Sequence, residues 1–135
     1  MEIAILQHVD FEGPAEIENW CRQTGNEYKV HRLFLGEALP KAERTDFLVI
    51  LGGPMSVLDE LPWLEEERQL IRVLISQGKP VFGVCLGGQQ IAKTLGADIF
   101  QGEFHRREIG SVRYKNSERT NPLRRNRLIW LINGQ

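Results

Sequence analysis

The stretch Gly83-Val84-Cys85-Leu86-Gly87-Gly88-Gln89 constrains this chain more than any other. It follows the apolar run Pro80-Val81-Phe82 and precedes a helix-like stretch closed by Gly96, so it reads as a buried strand turning abruptly into a helix. Cys85 stands at the turn, with a glycine two residues away on each side, the spacing of a nucleophile elbow with cysteine in place of serine. Such a turn holds its central residue under strain, and the strand and helix pass so closely that the neighbours must carry little or no side chain. A buried cysteine beside an ordinary turn would not require Gly83, Gly87 and Gly88. At the start of a helix, unpaired N–H groups and the helix dipole favour the thiolate. The N–H of Leu86, next after the elbow residue, is expected to point to where an oxyanion forms.

Read from the N-terminus, Glu2 to His8 is a short apolar run suited to a buried strand, with His8 near its carboxyl end. Pro14 is placed as a first helical residue, and Ile17, Trp20 and Cys21 recur at helical spacing until Gly25. This predicts a core-facing, structural Cys21. Tyr28 to Phe34 alternates as a second strand, and Asp46 to Leu51 is a near-continuous apolar strand buried on both faces. That strand ends in Gly52-Gly53-Pro54, where paired glycines let backbone N–H groups approach a ligand. Trp63 to Gln77 carries an apolar helical stripe broken only by Glu67. Ala97 to Phe100, Glu108 to Tyr114 and Arg127 to Ile132 are candidate short strands.

This alternation predicts an α/β fold, an open, mostly parallel sheet with helices on both faces, organised as a single domain over residues 1–135. Ligands of such sheets collect at the carboxyl ends of the strands. His8, Gly52-Gly53 and Cys85 all fall at such ends, so three separate stretches are expected to share one rim. Lys and Arg number 17 against 18 Asp and Glu, which argues against a nucleic-acid binder or a membrane-surface protein. The basic stretch from Arg113 to Arg127 has acidic interruptions and a single tyrosine, and reads as solvated surface. No signal peptide or apolar run of membrane-spanning length is apparent, so a cytoplasmic location is expected. Cys21 and Cys85 belong to no CxxC pair, and neither a metal nor a disulfide framework is suggested.

LVILGGPMSV, then a helix, then KPVFGVCLGGQQIAKTLGA, with Glu108-Ile109-Gly110 further on, closely resembles the class I glutamine amidotransferase family, in particular the glutaminase part of GMP synthase. The resemblance runs from Ile3 to about Gly110 and implies a flavodoxin-like sheet. It implies Cys85 as nucleophile, Gly53 and Leu86 as oxyanion donors, and Gln89 with Gly52 holding the substrate. The reaction implied is hydrolysis of the glutamine side-chain amide through a thioester, releasing ammonia, with no cofactor. L-glutamine and a separate ammonia-accepting synthase are the partners that follow.

The family's proton donor is a histidine in an HxE pair far downstream of the nucleophile. Here the only histidine after Cys85 is His105, with Arg107 two positions later, and His8 lies at the rim but early in the chain. The reading is therefore of a domain incomplete at its C-terminus, lacking the HxE pair, with very weak or absent turnover. An uncovered sheet edge would favour a homo-oligomer. Two other classes stay open: a catalytically silent relative that binds a ligand or partner at the same rim, and a cysteine-based sensor or hydrolase resembling DJ-1 and PfpI.

Overall fold

The computed structural model describes residues 1–96 and two strand segments, 108–112 and 129–133. In chain order the elements are β1 (Glu2–Gln7), α1 (Glu16–Gln23), β2 (Glu27–Arg32), β3 (Phe47–Ile50), α2 (Pro62–Ser76), β4 (Val81–Val84), α3 (Leu86–Thr94), β5 (Glu108–Val112) and β6 (Ile129–Asn133). The sheet order is β2-β1-β3-β4-β6-β5. Every neighbouring pair is parallel except β5 with β6. This is the expected open, mostly parallel α/β sheet.

The core divides along the strands with period two. Ala4 and Leu6 of β1 and Leu48 and Ile50 of β3 join Leu70, Ile71 and Leu74 of α2 and Ile91 of α3. The alternate residues Ile3, Ile5, Val49 and Leu51 face the other way, onto Cys21 of α1. Both sheet faces are covered, which is why β1 and β3 read as continuous apolar runs rather than alternating ones. Cys21 is fully buried, the structural position expected of it, and burial pushes its thiol up, with the Glu18 charge adding.

Two boundaries and the exposure of Trp20 depart most from the sequence reading. Helix α1 begins at Glu16, not Pro14, because the Pro14 carbonyl instead accepts the Ile17 N–H at 2.8 Å and Ala15 sits ahead of the helix at φ 40°. Trp20 is 42% exposed, its ring edge-on to Phe47 at 6.3 Å, so the two-turn helix reaches the core mainly through Cys21 and the half-buried Ile17. Strand β2 stops at Arg32, and Leu33–Leu35 form a 3-10 turn closed by Gly36 at φ 79°. The strands expected from Glu108 and from Arg127 correspond to β5 and β6. The one expected at Ala97 to Phe100 and the basic stretch lie outside the described residues.

Backbone meets backbone where β4 turns into α3. A methyl group on Gly87 would collide with the Ile50 carbonyl at the end of β3, and one on Gly83 would lie 2.5 Å from the Gly88 nitrogen. Neither obstacle is a side chain that could swing aside. A methyl on Gly13 meets only ordinary contact, 3.7 Å from Gln7 Nε2. Gly87→Ala and Gly83→Ala are therefore expected to cost about 3 kcal/mol or more, while Gly13→Ala stays within about 1 kcal/mol of the parent. Urea unfolding of the three variants checks this, and equal midpoints would contradict it.

Candidate active site

Cys85 occupies the position between β4 and α3 at φ 51° and ψ −111°. Positive φ is costly for a residue with a Cβ, on the order of 1–3 kcal/mol, and among the described non-glycine residues only Ala15 shares it. The strained turn expected from the glycine spacing is thus present. The Cys85 carbonyl accepts the Gln89 N–H at 3.0 Å, which starts α3 and leaves the preceding N–H groups of the first turn without helical acceptors. The side chain is partly exposed, unlike that of Cys21.

The glycine loop after β3 lies against this turn. A methyl on Gly52 would stand 3.3 Å from Cys85 Cβ, and one on Gly53 would stand 3.4 Å from both Leu86 Cδ2 and His8 Cβ. Gly52, Gly53, Cys85 and Leu86 are therefore gathered at the carboxyl rim, as expected. Gln89, half-buried, follows one turn into α3. Beneath them Leu86 packs with Val57 and Leu64 in a small apolar cluster that seats the start of α3 on that of α2.

His8 also reaches the rim, but as a brace. It is 2% exposed, its Nε2 lies 2.7 Å from Glu67 Oε2, and its Nδ1 lies 3.4 Å from the Gly52 carbonyl oxygen. Its ring stacks on Trp63 at 5.2 Å. Burial opposes the imidazolium, but the Glu67 carboxylate, as hydrogen-bond acceptor and counter-charge, outweighs burial with help from the Gly52 and Leu51 carbonyls. The histidine is held above its ordinary value of 6.5. Both nitrogens are engaged by the protein, so His8 is not free to shuttle a proton for a substrate.

Glu67 is the partner that the sequence reading did not assign. Its signal was the single polar break in the apolar stripe of α2, and it is fully buried there. Gln90 of α3 completes the network: its Nε2 donates to the Leu64 carbonyl at 3.0 Å and lies 3.4 Å from Glu67 Oε1. Arg68 donates to Gln90 Oε1 at 2.8 Å and pairs with Glu65. The network runs from the end of β1 through α2 to the helix that carries Cys85.

A model of the class-I glutamine amidotransferases matches residues 13–127. The chain belongs to this family. It is 34% identical over 116 residues to the glutamine amidotransferase-like protein YfeJ of Salmonella typhimurium, covering 82% of this chain and 48% of that one. It is 40% identical over 65 residues to the glutamine-hydrolyzing GMP synthase of Aeropyrum pernix, 48% of this chain and 11% of that one. Among solved structures, the glutamine amido transferase of Methylobacillus flagellatus superposes with a TM-score of 0.73 at 35% identity, over 83% of this chain and 45% of its own. The chain thus spans about half the length of these relatives from Salmonella and Methylobacillus. Among the described residues no helix is long and apolar enough to cross a membrane, and no cluster of metal-ligating side chains occurs.

The buried pair has a consequence for the stability of the chain. Because the folded pKa of His8 is raised, the contribution of the pair is fully present below about 6.5 and is lost as pH rises through the higher folded value. Glu67→Gln, which leaves the imidazolium without its counter-charge, should cost about 3–5 kcal/mol near pH 6 and less near pH 9. Urea unfolding of parent and variant across that range tests the sign, and a penalty that grows with pH would contradict it.

Proposed function

We propose that Cys85 is the nucleophile of a glutamine-cleaving site. The observation that carries this is the thiol-bearing residue held at positive φ on the N-terminus of α3, directly against Gly52, with Gly53 beside Leu86. In this reading Sγ attacks the side-chain amide carbon, the Gly53 and Leu86 N–H groups hold the oxyanion, and Gln89 and Gly52 position the substrate. The C–N bond breaks as the thiol proton passes to nitrogen, ammonia departs, and water hydrolyses the thioester, restoring the thiol. An oxyanion donor is typically worth about 10²- to 10³-fold in rate.

The described histidines are poor proton carriers for this step. His8 is committed to Glu67 and Gly52, and His31 lies on β2, at the edge of the sheet with β1 and β3 between it and β4. Turnover that relied on these two histidines would lack the roughly 10²- to 10⁴-fold that general acid–base catalysis supplies. By likeness to the GMP synthases, we assign the released ammonia to a separate accepting synthase. A cytoplasmic setting, where thiols stay reduced, suits the chemistry.

Cys21 provides an internal control for the test. Iodoacetamide should modify Cys85 about tenfold or more faster than buried Cys21, and added L-glutamine should slow the Cys85 reaction while leaving Cys21 unchanged. Equal rates at both thiols, or no protection by glutamine, would overturn the proposal.

A further inference from the structure

The loop between β1 and α1 brings a carboxylate to the rim that the reaction as proposed does not use. A methyl on Gly52 would stand 2.5 Å from Glu12 Oε2 as well as 3.3 Å from Cys85 Cβ, so the Glu12 carboxylate and the Cys85 side chain flank the same glycine. The absent Cβ of Gly52 is the space that the carboxylate enters. The loop is held from below: Gln7, 6% exposed, donates from Nε2 to the Val9 carbonyl at 2.9 Å and to the Asp10 carbonyl at 3.2 Å. A buried amide with both bonds spent on the loop's own backbone fixes the course of residues 9–13.

Glu12 is half-buried, and among the described residues no hydrogen bond or ion pair takes up its carboxylate. The neighbouring His8 directs its Nε2 to Glu67. A partly desolvated carboxylate is stabilised by a cation that docks beside it. Both distances are taken from one point, so Glu12 Oε2 lies no more than about 6 Å from Cys85 Cβ, and an amino acid whose side-chain amide carbon meets Cys85 carries its ammonium group only about 5 Å from that carbon when extended.

We propose that Glu12 is the counter-charge that recognises the ammonium group of the substrate amino acid, so that the site selects a free amino acid over an uncharged amide. This rests on the glutamine reading of Cys85. Glu12 is a binding residue here and takes no part in the proton transfers.

Two electrophiles distinguish the roles, both followed by mass spectrometry of the Cys85 peptide in the full chain. The diazoketone analogue of L-glutamine carries the ammonium group, and iodoacetamide does not. Glu12→Gln is expected to slow labelling by the diazoketone about tenfold or more, the worth of a hydrogen bond to a charged group, while the iodoacetamide rate stays within about twofold. Glu12→Asp, which keeps the charge one methylene back, should recover part of the loss. Unchanged labelling by both reagents in Glu12→Gln would overturn the proposal, as would an equal change in both, which would make Glu12 a modifier of the sulfur. A parent protein that reacts with iodoacetamide but not with the diazoketone would overturn the glutamine reading itself, and this inference with it.

Discussion

The structure depends on three backbone segments being allowed to touch without side chains between them. The end of β3, the end of β4 and the first turn of α3 meet at Gly83 and Gly87, where a single methyl group would strike main-chain atoms. That contact draws α3 down onto the sheet and forces the residue between strand and helix into a positive φ. The strain at Cys85 and the glycines around it are two aspects of one packing requirement. It also sets the distance between the cysteine and the Gly52-Gly53 loop, which leaves the adjacent strand at the same rim.

The polar network beneath the rim holds those parts in register. Packing alone would seat α2 on the sheet through Leu70, Ile71 and Leu74. Glu67 adds a directional tie: it joins α2 to His8 at the end of β1, and His8 in turn lies against the Gly52 carbonyl. Gln90 ties the same carboxylate to the elbow helix. A buried ion pair contributes little to net stability compared with apolar packing, yet breaking it is costly. Its placement behind the glycine loop ties that loop to α2 through the Gly52 carbonyl.

Much of this was legible in the residues themselves. The apolar runs of β1 and β3 marked strands covered on both faces, and the glycine spacing around Cys85 foretold a close strand–helix passage. What escaped was decided by local geometry or by pairing across the fold. Leu33 to Leu35 are apolar enough for a strand, but Gly36 in the left-handed region closes them into a 3-10 turn. The polar break at Glu67 was visible, while its partner lies 59 residues away and could not be read from α2 alone. Glu12 gave no signal at all, since its significance comes only from the empty space at Gly52.

The central claim is that the strained cysteine forms an acyl bond with glutamine. Intact-protein and peptide mass spectrometry after acid quenching of the chain with L-glutamine tests it most directly, because it reads the covalent bond itself. The account predicts a γ-glutamyl adduct on the peptide containing Cys85, absent from the Cys21 peptide and from a Cys85→Ser variant. Ammonia release with no adduct requirement for Cys85, or an adduct that persists in the Cys85→Ser variant, would contradict it.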